Sequence, residues 1–256
     1  MTAATFHALV LAGSRGGTDP VAAYAEVSDK ALVRIADATM LARVVGALRA
    51  AGATRIAVSA NAPAVRAEAV RLGCEPVDAA AGPSLSTLHG MQALGTPLLV
   101  TTADHALLRP EWIRDFLTDA PGGADVAALL ARSDVIARDA PPTRRTYLRF
   151  ADGAWSGCNM FLLRTPRAEA AVRLWMAVER DRKRPWRIVR RLGVGALLRY
   201  ATGRLTLAAA LDRLGVAAGV KAVAVAARHG LAAVDVDTPA DLDLVRGLLD
   251  QPSQST

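Results

Sequence analysis

His7-Ala8-Leu9-Val10-Leu11-Ala12-Gly13-Ser14-Arg15-Gly16-Gly17 is the stretch on which the fold turns. The run His7–Leu11 is short and apolar almost throughout, with no polar alternation. That pattern fits a strand covered on both faces, as in a parallel sheet. The segment Ala12–Gly17 that follows is a turn rich in glycine. Glycines just after a strand let the backbone approach a ligand and aim N–H groups at phosphates. In open α/β sheets ligands bind outside the carboxyl ends of the strands, where this turn lies. The spacing is neither G-x-G-x-x-G nor a P-loop ending in G-K-[ST], so the dinucleotide and Walker fingerprints are both set aside. Taken alone, the turn is equally well explained as a plain tight bend.

Outward from this strand, apolar runs of strand length alternate with helix-period segments. The pattern predicts a helix over Thr39–Ala51 and a strand over Arg55–Ser59. A helix over Ala64–Leu72, a strand over Pro97–Thr102 and a helix over Pro110–Thr118 come next. Gly52 and Gly73 stop the first two helices, and Pro110 opens the third. Strands Asp125–Leu130 and Ser156–Leu163, a loop at 141–145 and a helix over Pro166–Arg180 complete the middle. The end is read as strands Lys221–Ala226 and Ala232–Val236 and a helix over Pro239–Leu249, with a disordered tail, Gln251–Thr256. The βαβα order predicts an α/β fold with a parallel sheet and helices on both faces. Residues 1–250 read as one domain with a basic helical insertion around 180–215.

Composition agrees with that class. The chain has 256 residues, of which 52% are hydrophobic and 4% aromatic, the apolar mass being Ala, Leu and Val. Such a mix suits close-packed helices on a sheet rather than an all-β sandwich. No basic segment precedes an apolar core at the start, and no run reaches a membrane span. Cys74 and Cys158 lack metal-ligand spacing and read as reduced, buried thiols of a cytoplasmic protein. The net charge of +7 favours anionic partners.

Four further segments carry chemistry. Lys30 follows the glycine turn and offers a point charge for triphosphate oxygens, although a solvated lysine is the ordinary case. Gly82-Pro83-Ser84-Leu85-Ser86 opens a helix with small hydroxyl residues, which cap it and leave N–H groups free for a ribose, a base or nothing at all. Asp104 stands at the carboxyl end of the strand that ends in Thr101 and Thr102. A carboxylate there is costly unless paired or bound to a metal, and Mg²⁺ takes one or two carboxylates plus phosphate oxygens and water. His105 beside it reads as an ordinary loop histidine. Asp235 and Asp237 are two apart on the expected strand and so point to the same side. Thr238 and Pro239 then open the last helix as cap and first residue.

Together, in this order, the segments carry a family resemblance. The chain resembles the MobA-like NTP transferases, nucleotidyltransferases of GT-A-type, Rossmann-like fold with a mostly parallel mixed sheet. The resemblance rests on Leu11-Ala12-Gly13 and its turn, on Lys30 with Leu32, Met40 and Leu41, and on Gly82-Pro83-Ser84-Leu85-Ser86. It continues in Ala103-Asp104-His105 and in Asp235-Val236-Asp237-Thr238-Pro239-Ala240-Asp241-Leu242. The turn and tail look like those of guanylyltransferases of cobalamin-type cofactor synthesis. Ser14 stands where the family has a second glycine, Arg15 comes early, and the spacing from the turn to Lys30 is long. The resemblance implies that Leu11, Ala12, Gly13, Ser14, Arg15, Gly16 and Gly17 cradle the phosphates of an NTP and that Lys30 binds the triphosphate. It also implies that Gly82, Pro83, Ser84 and Ser86 hold the nucleoside, that Asp104 and Asp237 hold Mg²⁺, and that Gly157 and Asn159 face the acceptor. The implied reaction moves an NMP onto a phosphorylated small molecule, cofactor precursor or lipid and releases pyrophosphate. A glycosyltransferase using a nucleotide-sugar and a non-catalytic peripheral membrane protein are the alternatives. Lys30 and the glycine turn suit a free triphosphate and weigh against the first.

The basic excess gathers in Arg180, Arg182, Lys183, Arg184, Arg187, Arg190 and Arg191, interleaved with Trp186, Ile188, Val189, Leu192, Leu197, Leu198 and Tyr200. This composition suits a helix on an anionic bilayer over residues 180–204, at the inner face of the cell membrane, and equally a packed helix pair or a dimer contact. Nucleic acid is not expected, because an aromatic platform and a reading helix are both missing.

Overall fold

The computed structural model describes residues 5–14, 16–17, 19–142, 145–180 and 194–250. Arg15 of the glycine turn, the basic residues from Arg182 to Arg191 with Trp186, Ile188, Val189 and Leu192, and the tail Gln251–Thr256 lie outside them. The chain runs β1 (Phe6–Leu11), α1 (Pro20–Tyr24), a 3-10 turn (Lys30–Leu32), β2 (Arg34–Ile35), β3 (Ala38–Thr39), α2 (Met40–Ala50) and β4 (Ala53–Ser59). It continues with α3 (Pro63–Arg71), β5 (Glu75–Val77), α4 (Pro83–Leu94), β6 (Leu98–Thr102), α5 (Pro110–Asp119), β7 (Val126–Arg132) and α6 (Ser133–Asp139). It closes with β8 (Leu148–Phe150), β9 (Gly153–Leu163), α7 (Ala168–Arg180), α8 (Val194–Ala201), α9 (Leu207–Ala218), β10 (Ala222–Ala226), a 3-10 turn (Gly230–Ala233) and α10 (Pro239–Asp250).

An eight-stranded sheet in the order β10-β7-β9-β6-β1-β4-β5, with β8 added on β9, forms the frame. The strand that opens the sequence lies between its parallel neighbours, in register His7–Leu98 to Leu11–Thr102 on one side and His7–Arg55 to Leu11–Ser59 on the other. β9 alone runs antiparallel between β6 and β7, so the sheet is mixed and mostly parallel. Alternation along β1 sends Ala8 and Val10 into one buried cluster, shared with α2 and α5. Leu9 goes into another, shared with Leu88 and Met91 of α4 and Val172 of α7. Successive strand side chains point to opposite faces, so one short apolar run supplies the core on both faces, as its sequence pattern predicts. No helix among the described residues is long and apolar enough to cross a membrane.

Several boundaries follow from capping. Thr39 lies before α2 rather than in it, and its Oγ1 accepts a hydrogen bond from Ala42 N at 3.0 Å. Asp19 accepts from Val21 N and Ala22 N at 2.9 and 3.1 Å, which starts α1, a helix that apolar periodicity over five residues does not reveal. The long spacing from the glycine turn to Lys30 is taken up by this helix.

One expected strand is absent. Ala232–Val236 is not a strand. Gly230–Ala233 form a 3-10 turn and the chain then runs on without a ladder, joined to the sheet's end by Val236 N donating to the Asp104 carbonyl at 3.1 Å. The apolar residues Ala232, Ala233, Val234 and Val236 are buried all the same. An apolar run encodes burial, and a buried irregular segment satisfies it as well as a strand does. What brings the segment in is Gly230, packed against the backbone of α6. A Cβ built there would stand 2.7 Å from Ile136 Cα and nearer still to the Val135 carbonyl. Gly230→Ala is therefore expected to cost about 1–3 kcal/mol in urea unfolding, as overpacking against backbone does. Gly247→Ala, on an open helix face, is expected to stay within about 0.5 kcal/mol or gain slightly. Equal effects at the two sites would contradict the account of how the segment is seated.

Candidate active site

The site lies where the parallel strands end. Ala12 N donates to Ser59 O at 2.9 Å and Ala103 N donates to Leu11 O at 3.0 Å, so the ends of β1, β4 and β6 are tied one residue past their ladders. Asp104 follows directly. Lys30 opens a 3-10 turn capped by the buried Asp29, whose Oδ1 accepts from Ala31 N at 2.9 Å. Asp237 arrives on the segment held by Val236 and is followed by a reciprocal cap. Asp241 Oδ2 accepts from Thr238 N at 2.8 Å, and Asp241 N donates to Thr238 Oγ1 at 3.3 Å.

These three residues, distant in sequence, meet. Lys30 Nζ lies 2.8 Å from Asp104 Oδ2 and 3.2 Å from Asp237 Oδ1. Side-chain exposure is 22% for Lys30 and 16% for Asp104 but 66% for Asp237, so the cluster is closed toward the sheet and open toward solvent. Burial draws the Lys30 ammonium down, but the combined attraction of Asp104 and Asp237 outweighs it and holds its pKa above the ordinary lysine value. Lys30 is thus a cation throughout the neutral range.

The two acids of the last motif do not share a side, because the strand that would align them is absent. Asp237 turns to Lys30. Asp235 turns to β9, where Asn159 Nδ2 donates to its Oδ2 at 2.8 Å and Arg145 stands 3.6 Å from its Oδ1. Arg145 also donates to the Ala233 carbonyl. Burial first, then the charges of Asp237 and Asp104, push the Asp235 carboxyl up, with Arg145 working against them. Asn159 adopts a left-handed φ of 48° where the β7–β9 register slips. The side chain read as facing an acceptor is therefore bonded to Asp235. Gly157, two residues earlier, is exposed, with open space where a Cβ would be.

The glycine turn is held loosely on one side. Ser14 N and Asn61 Oδ1 are 3.4 Å apart, and Gly13 packs so that a Cβ would meet Ala79 Cβ at 2.9 Å. Gly16 and Gly17 have φ of 78° and 87° in open surroundings, conformations that favour glycine. Gly82 caps α4 and Pro83 is its first residue. The hydroxyls of this loop are engaged internally: Ser84 Oγ donates to Glu179 Oε2 at 2.5 Å and Ser86 Oγ accepts from Ala80 N at 2.9 Å. What the loop offers a ligand is the N–H groups of the first turn of α4. They border a cleft of about 620 Å³ whose lining includes Gly82, Leu85, Arg173, Met176 and Glu179. Asn61, Arg145 and Glu179 escape a sequence reading, since each is a lone polar residue whose partner is 47 to 95 positions away.

Asp104 Oδ1 is buried without a hydrogen-bond partner among the described residues. A free acceptor oxygen beside a second, solvent-open carboxylate suits a hard cation such as Mg²⁺, which takes few protein oxygens and completes its shell with phosphate and water. No group of three or more His, Cys, Asp or Glu arranged to hold a metal occurs among the described residues, so an all-protein cage is not what this site offers. His105 lies in the loop between β6 and α5, as expected, and is only 1% exposed, tilted toward Trp112 with ring centroids 6.5 Å apart.

This is the architecture of the Rossmann-like α/β nucleotidyltransferases, and comparison with known proteins agrees. Residues 8–192 match the MobA-like NTP transferase domain, and the chain belongs to that family. It is 29% identical to a hypothetical transferase from Thermus thermophilus, with a TM-score of 0.79 over 92% of this chain and 98% of that one. A nucleotidyl transferase from Methanothermobacter thermautotrophicus is 18% identical, with a TM-score of 0.56 over 94% and 96% of the two chains. CMP:2-keto-3-deoxy-manno-octonic acid synthetase in complex with CTP is also 18% identical, with a TM-score of 0.55 over 96% and 99%. At 18% identity the likeness is one of fold. Among curated proteins none matches the chain.

Burial pushes the pKa of His105 down to about 4; the Asp104 charge and the Ala232 carbonyl oppose the shift and Arg145 adds to it. The folded imidazole thus stays neutral while the unfolded one takes up a proton below its ordinary pKa of 6.5. Stability from this residue is complete above that value and is lost as pH falls toward the folded pKa. Between pH 6.5 and 5 the loss is up to about 2 kcal/mol at ~1.4 kcal/mol per unit. In urea titrations the wild type is expected to weaken more steeply over this interval than His105→Gln. Parallel slopes would contradict a neutral, buried His105.

Proposed function

We propose that this protein transfers a nucleoside monophosphate from an NTP to a phosphorylated acceptor and releases pyrophosphate. The observation that carries the reading is the meeting of Lys30 with Asp104 and Asp237 at 2.8 and 3.2 Å beyond the carboxyl ends of the parallel strands. An oxygen of the acceptor phosphate attacks the α-phosphorus of the NTP in line. A new P–O bond forms, the bond to the bridging α–β oxygen breaks, and pyrophosphate leaves with the electron pair. The acceptor oxygen is ionised at neutral pH, so no general base is needed. The protein's share is placement and charge neutralisation. Lys30 binds triphosphate oxygens and stabilises charge on the leaving group. N–H groups of the turn Ala12–Gly17 cradle the phosphates. The first turn of α4, after Gly82 and Pro83, holds the nucleoside beside its cleft. Gly157 gives the acceptor an open approach, and Asn159 keeps Asp235 back from the reacting phosphates. Asp104 and Asp237 hold Mg²⁺, which when bound neutralises phosphate oxygens.

Phosphorylated lipids belong to the acceptor class on the strength of the basic composition of 180–204 and of Leu197 and Leu198, exposed on α8 at 44% and 64%. Both features suit an anionic membrane surface at the inner face of the cell membrane.

The test is pyrophosphate release with CTP, GTP, ATP and UTP and Mg²⁺, offered soluble sugar phosphates, cofactor phosphates and vesicle-borne phosphorylated lipids. One NTP is expected to give release that depends on a phosphorylated acceptor. Asp104→Asn and Lys30→Met are expected to lower turnover by about 10²–10³-fold, the scale for removing one charge-stabilising group, with unchanged circular dichroism. Turnover like that of the wild type in either variant would refute the assignment. Transfer confined to soluble acceptors would remove the lipid reading.

A further inference from the structure

The Lys30 ammonium stands where a cation shared by two carboxylates would stand, bonded to Asp104 Oδ2 and Asp237 Oδ1 at once. The neighbouring third carboxylate, Asp235, is matched by Arg145 and Asn159. Asp104 and Asp237 together with Lys30 thus leave a single formal negative charge at the mouth of the site. A free divalent cation meets little net attraction there and must displace an ammonium that already bonds both acids. A triphosphate changes that balance, because its oxygens give the ammonium somewhere else to go.

We infer that Lys30 is an internal counter-ion that keeps a bare divalent cation out of the Asp104–Asp237 pair. It passes to the phosphates when metal and nucleotide arrive together, so the site selects the metal–nucleotide complex. This rests on the reading of the site given above. Three features of the chain suit the exchange. The backbone of Lys30 is fixed by the Asp29 cap, while its long stem carries a compact charge that reorients without moving the Cα. Asp104 Oδ1, buried and unpartnered among the described residues, is ready to accept a ligand bond that the ammonium does not use. Asp237 is 66% exposed, so the pair is open to solvent on that side.

The probe is Mn²⁺, titrated into the full chain without nucleotide and followed by the electron paramagnetic resonance signal of the free ion. Wild type, Lys30→Met and the double variant Lys30→Met/Asp104→Asn are compared after circular dichroism shows that each is folded. Lys30→Met is expected to bind Mn²⁺ at least about tenfold more tightly than wild type, since a charge in contact with the site is removed. The double variant is expected to lose that gain. If Lys30→Met binds no tighter than wild type, and adding Asp104→Asn to it abolishes binding, the counter-ion proposal is overturned while the metal site stands. Binding that ignores Asp104, or no binding in any form, overturns the proposal together with the metal site.

Discussion

Two carboxylates, Asp104 largely buried past the end of a central strand and Asp237 open to solvent, stand close enough to repel each other, and a cation between them offsets that repulsion. Lys30 is that cation in the folded chain. Much of the local structure can be read as meeting the requirement. The Asp29 cap fixes where Lys30 starts. The extra bond from Ala103 to Leu11 sets Asp104 just past the ladder. The hydrogen bond from Val236 to the Asp104 carbonyl brings the last segment alongside. Remove the ammonium, and two acids with no shared partner remain at the mouth of the site.

The same electrostatics explain why the acids of the last motif part company. Three carboxylates around one ammonium would leave a large net charge. Asp235 is instead drawn to Arg145 and Asn159. The left-handed backbone of Asn159 and the register slip between β7 and β9 place the amide there. An irregularity in one strand thus serves the neighbouring site, a common use of bulges.

The sequence was informative wherever a signal is local. The run His7–Leu11 and its glycines gave the first strand and its bend, because an apolar run shorter than a helix needs cover on two faces. Pro110 and Thr39 marked helix starts through their own backbone chemistry. Asp104 could be picked out singly, since a carboxylate just past an apolar strand is costly without a partner, whereas Lys30 and Asp237 stand out only through the motifs around them. Their meeting is implied by the family resemblance alone, through a shared Mg²⁺, and by no local signal, because it depends on register. The segment Ala232–Val236 misled for a physical reason: apolar composition reports burial and carries no record of whether a neighbouring strand is free to pair. Ser84 and Ser86 looked available as small hydroxyls at a helix start, and nothing local announces Glu179 or Ala80 as their partners. α1 and the short β2–β3 pair were too brief for periodicity to register.

The central claim is that the lysine and two aspartates form the seat of a metal-bound triphosphate. The most direct measurement is a crystal structure grown with Mn²⁺ and a non-hydrolysable NTP, with anomalous scattering collected to place the metal. The account predicts one anomalous peak between Asp104 and Asp237, with Lys30 Nζ moved onto a phosphate oxygen and the phosphates lying along the turn Ala12–Gly17. Nucleotide bound elsewhere, with Lys30 still paired to both acids, would contradict it.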